Sequence, residues 1–464
     1  MSAPADYSFL TGAEKDALIA TLLSRLDAMD KRIAALEEEN TLLRAKLNLP
    51  PKTPDNSSTP PSQGHKASGD GSNKAKGEPH AGAHRPLHPN PTRKRDVMAA
   101  HCQHCAADVS AVAQSVVQSY DRIEIPEIKP DVTRVSLHGG ICPCCARRFK
   151  ARPPAGLEPG SPFGPNLRAF AIYLRARHAV SYERLAQLMS DLLGLDISEG
   201  ALVNILCDSR KAFGEQFKRI RARLLSSSTL ESDGPKRQRA DGMRVGKKTW
   251  WAWVFHHGKE CCFVIRPSRG KDVVEAFLDG YRPEYWVSDR LAAQMGWATK
   301  EHQVCLAHLL RDVQYAIDAG DNRFAPSLAK LLREAYAIGR RREQLADATL
   351  RSYAARLDNK LTALLCIAPQ GNEGEKLQRM IKRWRQHLFV FVTNRNLPPT
   401  NNGSEQAIRP CVTFRKVTNC FRSEWGANLY ADIRSVLETA RRRAIDPLTA
   451  IRITLDGVPL PQGA

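Results

Sequence analysis

Between residues 229 and 304 the chain alternates short strand-like runs with a helix, an order that few folds accept. TLESD, TWWAWVFHH, ECCFVIRP and EYWVSD are rich in the β-branched and aromatic residues that suit sheet strands. KDVVEAFLDG, between the third and fourth runs, reads as a helix, and HQVCLAH offers a further strand. A long helical stretch follows at about 308–390 and ends near the loop NRNLPPTNNGSE. Strands followed by a crossover helix and another strand predict an α/β or mixed sheet. TLESD and YWVSD can then be neighbours, with Asp233 and Asp289 brought together at their C-terminal ends. Glu405 lies just past PPTNNGS, at the start of a predicted helix. Three converging carboxylates can hold two divalent ions, which activate a water or hydroxyl and stabilise the leaving oxygen in phosphoryl transfer. The chain has 49 acidic residues, so the trio alone is a cheap signal.

Residues 13–49 read as one helix. Leu22, Met29, Leu36 and Leu43 fall seven apart, and Ile19, Leu26, Ile33, Asn40 and Leu47 form a second row. The rows alternate by three and four, as in a coiled coil, and Asn40 favours the register in which it meets its twin in a parallel dimer. A helix packed on its own domain would carry the same pattern. Residues 50–97 are dominated by Pro, Gly, Ser, Asn and Lys and predict a flexible linker. CQHC and CPCC, 36 residues apart, then supply Cys102, Cys105, Cys142 and Cys145. Two such turns can complete a tetrahedral, structural zinc site, with His101, His104 or Cys144 as substitute ligands. The separation is long, and EIPEIKPDVTRVSLHGG is expected to fill it with small strands. Within 155–225, SYERLAQLMSDLLGL has helical spacing, Gly194 breaks it, and Ser198 can cap the next helix, EGALVNILCDSRKAF. Two helices across a short turn fit a DNA-reading helix-turn-helix, and equally a plain helical bundle.

Lys plus Arg outnumber Asp plus Glu by 69 to 49, a formal charge of +20. Such a surface attracts a polyanion by binding phosphates and displacing their counterions. A chain of 464 residues, 42% apolar, suffices for two to four domains with a full core. It has no run of about 18 apolar residues to cross a membrane. MSAPADYSFLTGAEKD lacks the basic-then-apolar order of a signal peptide. Twelve cysteines in that setting predict reduced thiols or metal ligands rather than a disulfide scaffold.

The wording around the acids resembles the insertion-sequence-66 family of bacterial transposases across nearly the whole chain. The likeness runs through the heptad helix, NSSTPPS, the paired C-x-x-C motifs, TWWAWVF, VSDRLAAQMGW with CLAHLLRD, and LPPTNNGSEQAIRPCVTFRK. The TNN-x-x-E-x-x-x-R-P run ending in Arg-Lys is its most specific part, and ETARRRAIDPLTAI resembles the family's C-terminal tail. The resemblance implies a DDE-type DNA transposase with a ribonuclease-H-like catalytic domain, an Asp-Asp-Glu triad and Mg²⁺ or Mn²⁺. Asp289 matches the second acid and Glu405 the third. Asp233 is taken as the first because it follows the expected strand, with Asp241 as the alternative. Family members commonly read Asp-Glu-Thr there, whereas this chain reads SDGPKRQRADG. Cys305, His308 and Arg311 fall in a motif after the second acid. His308 and Arg311, with Arg409, Arg415 and Lys416, are candidates to contact DNA; a packed histidine is an equal reading of His308. Asn401 and Asn402 can cap the Glu405 helix. Trp250, Trp251 and Trp253 read chiefly as core or sheet-face residues.

The expected architecture is multidomain α+β. A coiled-coil helix (13–49), the linker (50–97), a zinc-binding domain (98–152) and a helical segment (155–225) precede a catalytic domain (226–425) with its helical insertion. A C-terminal helix and tail (426–464) follow. The expected partners are double-stranded DNA, both element ends and target, a second copy joined through the coiled coil, and accessory proteins of the same element. The expected location is the bacterial cytoplasm at the nucleoid, with no membrane involved. Two rival readings share these features: a catalytically inactive DNA-binding relative, and a zinc and coiled-coil interaction protein.

Overall fold

The structure, a computed structural model, describes residues 11–47, 49–57, 85–234 and 242–463. They fall into two units, one drawn from 1–65, 163–181 and 203–464, the other from 66–162 and 182–202. Asp241 lies outside the described residues.

Helix α1 (Gly12–Leu47) opens on a capping box. The Thr11 N–H donates to Glu14 Oε2 at 2.8 Å, and the Glu14 N–H donates to Thr11 Oγ1 at 3.4 Å. Ile19, Leu22, Leu26, Met29, Ile33 and Leu36 are each about half exposed. The apolar seam of a single chain is therefore left largely in solvent.

In the second unit, β1 (Gly139–Ile141) pairs antiparallel with β2 (Arg148–Lys150). The strands expected between the cysteine pairs are absent from 123–138, and only the final residues of that stretch enter β1. Pro126 and Pro130 each remove an N–H that a ladder would use. Helix α2 (Pro165–Arg177) belongs to the first unit, α3 (Tyr182–Leu193) to the second, and α4 (Glu199–Leu224) mostly to the first. Gly194 takes a φ of +60°, and the Leu195 N–H returns to Met189 O at 3.1 Å, which closes α3. Ser198 Oγ accepts the Ala201 N–H at 3.2 Å and caps α4.

The first unit is built on a mixed sheet of six strands. β3 (Thr229–Asp233), β4 (Met243–Val245), β5 (Lys248–His257) and β6 (Glu260–Arg266) precede α5 (Lys271–Leu278), and β7 (Tyr285–Ser288) and β8 (Glu301–Val304) follow it. β5 runs antiparallel to β3, β4 and β6, whereas β7 is parallel to both β3 and β8. The continuous apolar run in β5 fits a strand covered on both faces. Trp253, Val254 and Phe255 are fully buried, and the Phe255 ring stacks on Phe277 of α5 at 3.9 Å.

Five helices separate β8 from the segment that carries Glu405. They are α6 (Leu306–Asp318), α7 (Phe324–Arg341), α8 (Asp347–Leu364), α9 (Gly371–Trp384) and α10 (Val390–Thr393). They close around Leu328, Leu332, Leu357, Leu361, Ile381 and Phe391, and Val287 of β7 joins the same cluster. The insertion is thus seated on the sheet by apolar packing. α11 (Asn402–Thr418) then returns to β3 and β5.

The C-terminal region forms two helices, α12 (Glu424–Arg442) and α13 (Pro447–Leu455), where one was expected. α12 covers β6, whose backbone would otherwise present an open edge. Ser435 Oγ accepts the Phe263 N–H at 2.8 Å, and Thr439 Oγ1 accepts the Cys261 N–H at 3.1 Å. Four helical residues rise about 6 Å and two strand residues about 6.6 Å, so consecutive turns of α12 match consecutive outward N–H groups. No helix among the described residues is long and apolar enough to cross a membrane.

Candidate active site

The strand register relates the segments that carry Asp233 and Asp289. In the parallel pair of β3 and β7, Leu230 lies opposite Trp286 and Glu231 opposite Val287. Asp233 ends β3 two residues past Glu231, and Asp289 stands two residues past Val287, just beyond β7, so both acids lie at the C-terminal ends of neighbouring parallel strands. Asp233 is buried, and its Oδ1 accepts the Gly234 N–H at 2.9 Å. A Cβ at residue 234 would lie 2.8 Å from the Trp253 ring, so packing against β5 demands glycine after this acid. Asp289 is half-buried and accepts the Leu291 N–H at 3.0 Å, which turns the chain out of β7.

Glu405 stands in the first turn of α11, which is tied back to both strands. The Asn401 side chain was expected to cap α11, but its Nδ2 donates to Ser232 O at 2.7 Å, beside Asp233. The Asn401 N–H donates to Cys305 Sγ at 3.1 Å, and the Cys305 N–H donates to Ser288 O at 2.9 Å, beside Asp289. A buried chain of hydrogen bonds extends this brace. The Ser404 hydroxyl donates to Asn401 Oδ1, His256 Nε2 lies 2.8 Å from Ser404 Oγ, and Arg442 Nη1 lies 3.1 Å from His256 Nδ1. The donors run one way if His256 is neutral with its proton on Nε2. Burial, then the charges of Arg442 and His257, holds its pKa well below the usual value, in agreement with that tautomer. Asn401, Ser404 and His256 are all buried, and the bonds from Asn401 to Ser232 and from His256 to Ser404 and Arg442 cross more than a hundred residues of sequence. Sequence reading missed Ser232, His256, Ser404 and Arg442 because no local spacing announces such a chain.

His308, a candidate to contact DNA and equally a packed histidine, is turned inward. Its Nε2 lies 3.0 Å from Glu405 Oε1, and its ring is buried. The groups that face the ring are the Cys305 thiol and the Glu405 carboxylate. Burial pulls the His308 pKa down, but Cys305 and Glu405 outweigh it and lift it to about 10. Burial likewise opposes ionisation of Cys305, and His308 wins there too, lowering the thiol pKa. Arg311 sits one turn past His308 and is half-buried, and Arg409 sits one turn past Glu405 and is exposed. Arg415 donates to Gly242 O at 3.5 Å, and Lys416 is exposed on the same helix. Trp250 and Trp253 are buried, and Trp251 is half-buried beneath the Arg269 guanidinium at 5.8 Å.

The two C-x-x-C motifs adopt one geometry twice. The Cys102 N–H donates to Ala107 O and the Ala106 N–H to Cys102 O, both at 2.9 Å. The Cys142 N–H donates to Arg147 O and the Ala146 N–H to Cys142 O, again at 2.9 Å. Ala106 and Ala146 take matching positive φ values of 57° and 53°. In each turn the backbone N–H groups that follow face the first sulfur and lower its pKa: His104 and Cys105 for Cys102, Cys145 and Cys144 for Cys142. Both halves of the expected four-sulfur set are formed, but not joined. Among the described residues no three His, Cys, Asp or Glu side chains gather closely enough to ligate one ion. For the carboxylates this is less restrictive, because Mg²⁺ keeps several waters and needs only one or two protein carboxylates.

Two carboxylates, Asp233 and Asp289, thus stand at the C-terminal ends of neighbouring strands, and Glu405 stands in the first turn of α11, in a strongly basic chain. A family model described as Transposase IS66 family matches residues 160–429, more than half of the chain. The chain belongs to the IS66 transposase family. No curated protein matches it.

Proposed function

We propose that the chain is a DDE-type transposase that cleaves element ends with water and transfers the freed 3′-hydroxyl strand to target DNA. The observation that carries this reading is the position of Asp233 and Asp289 at the C-terminal ends of paired parallel strands, with Glu405 on a helix tied back through Asn401 to the residue beside Asp233. The sheet supports a ribonuclease-H-like core: β3 lies between antiparallel β5 and parallel β7, with β6 beyond β5 and β8 beyond β7.

Asp233, Asp289 and Glu405 would hold Mg²⁺ or Mn²⁺, both of which favour oxygen donors. Bound divalent ions supply Lewis-acid stabilisation of the attacking and leaving oxygens. His308 holds Glu405 in place, while Asn401 fixes the helix that carries it. Arg311, Arg409, Arg415 and Lys416 supply positive charge for DNA phosphates. In cleavage a water oxygen bonds to phosphorus, the bond to the 3′-oxygen breaks, and that oxygen leaves with a proton. In transfer the same 3′-oxygen attacks a target phosphate and displaces another 3′-oxygen.

The half-exposed seam of α1 supports a parallel coiled-coil dimer, which would bring two element ends together. The repeated cysteine turn supports zinc as the ligand that joins its two halves. Accessory proteins of the same element and a cytoplasmic, nucleoid-bound location follow from the same reading.

The test is end cleavage by Asp289→Asn and Glu405→Gln. Each should bind DNA normally and lose cleavage by at least about 10³-fold. Cleavage surviving in both removes the assignment. Wild-type binding without metal-dependent cleavage favours the inactive-relative reading, which the Asp233-Gly234 sequence in place of Asp-Glu-Thr also favours.

A further inference from the structure

A cleft of about 550 Å³ lies beside the proposed active site, between α7 and the loop at 399–402. Arg333, Tyr336 and Arg340 line one wall, and Thr400 and Asn402 line the other. Asn402 begins the helix whose first turn carries Glu405, and Ala307, also in the lining, directly precedes His308. The three α7 residues are spaced by three and four, which puts them on one helical face. The opposite face, with Leu328, Leu331, Leu332 and Ala335, is sealed in the helical core.

The cleft has a marked charge bias. No carboxylate lines it. Neither Arg333 nor Arg340 makes an ion pair or hydrogen bond among the described residues, and both are exposed. Glu334, the acid between them, turns to α8 and is engaged there by Arg356 at 3.2 Å and Lys360 at 2.7 Å. Two guanidiniums are thus left free toward the cleft. Seven residues of helix separate their backbones by roughly 10 Å, about the axial rise of three nucleotides on one strand. Planar guanidinium forks suit phosphate oxygens in pairs. Tyr336, packed against the helical core, sets an aromatic ring between them. An aromatic flanked by cations is the combination that tracks a nucleic-acid strand.

We propose that this cleft is a strand-binding subsite, in which Arg333 and Arg340 hold phosphates flanking the reacting one and Tyr336 supports the nucleotide between them. The proposal rests on the transposase reading but concerns a different surface and fails separately from it. The probe is a 20-base-pair duplex with a 5-bromouracil-bearing 3′ single-stranded tail, followed by anisotropy across a salt series and by photo-crosslinking. Arg333→Ala with Arg340→Ala should weaken binding at least about tenfold at 0.15 M salt and lower the slope of log K against log salt by about two. Arg333→Lys with Arg340→Lys should restore most of the slope, and the crosslink should map to Tyr336. Both arginines are exposed, so their loss leaves the core intact. An unchanged slope in the alanine pair, or a crosslink mapping wholly outside α7, overturns the subsite whatever the acids do. Cleavage persisting in Asp289→Asn overturns the catalytic reading and leaves the slope measurement standing.

Discussion

The sheet and the cysteine region are held in shape by opposite means. In the sheet, Trp253, Val254 and Phe255 are sealed, and Asp233 and Asp289 follow a parallel ladder that joins segments more than fifty residues apart. Around the cysteines, Val116, Val117, Ile125 and Val132 are each more than three-quarters exposed. The two turns are held by backbone bonds that span at most five residues. A site seated on an apolar core exists before its ligand arrives. On the zinc proposal, two local turns with no shared core would need the ion to join them, as is common in domains too small to bury much surface.

The largest expected effect tests that contrast directly. Purified protein should contain one zinc per chain by elemental analysis. Cys102→Ser with Cys142→Ser should abolish the zinc, since structural sites bind it with an apparent ~10–16 kcal/mol. Proteolysis should then cut within 98–152 while the thermal transition of the sheet stays where it was. Zinc-free wild-type protein, or a shared transition that drops in the variant, would break the contrast between the two regions.

What the sequence made legible divides along the same line. TLESD, TWWAWVFHH and EYWVSD became β3, β5 and β7 because β-branched and aromatic runs fit a buried sheet, whatever surrounds them. The Gly194 and Ser198 helix boundary could be read because capping is local. The role of Asn401 could not: a helix-start asparagine usually caps, and only the fold shows Ser232 within reach, 169 residues away. A packed His308 was one of two equal readings, but its partner could not be named, since Glu405 is 97 residues further on. The spacer between the cysteine pairs misled in the other direction. Its Ile and Val residues suggested strands, but its prolines and the lack of a facing core left them unpaired.

A second, smaller effect separates the regions by pH. His302 is buried in β8, with Nε2 3.0 Å from Ser288 Oγ, next to Asp289. Burial, then His387, pulls its pKa to about 3. The unfolded chain titrates this ring near the ordinary value of about 6.5 and the folded chain near 3, so between them the unfolded state binds more protons. Stability is therefore full above about pH 6.5 and is lost as pH falls toward 3, by on the order of 5 kcal/mol at most. Zinc thiolates also fail in acid, so the comparison belongs in the Cys102→Ser, Cys142→Ser background. There, His302→Gln should show a smaller fall in Tm between pH 7.5 and pH 4.5 than its parent. Equal falls would mean that His302 takes no part in acid unfolding.

The smallest effect asks whether the sheet's site truly depends on long-range bonds. Asn401→Ala removes the donor to Ser232 O and the acceptor for the Ser404 hydroxyl, and should cost about 1–3 kcal/mol. If Asn401 positions Glu405, end cleavage should also need more Mg²⁺ for half-maximal rate, a shift that general loosening would not give by itself. Ser404→Ala should cost a similar amount, because it strands His256 Nε2 and Asn401 Oδ1. The two sites share one chain of bonds, so the double variant should lose less than the sum of the singles, with a coupling of at least about 0.5 kcal/mol. Strict additivity, with an unmoved Mg²⁺ requirement, would mean that Asn401 and Ser404 act separately. Glu405 would then owe its place to its own helix turn and to His308, and not to the Asn401–Ser404 chain.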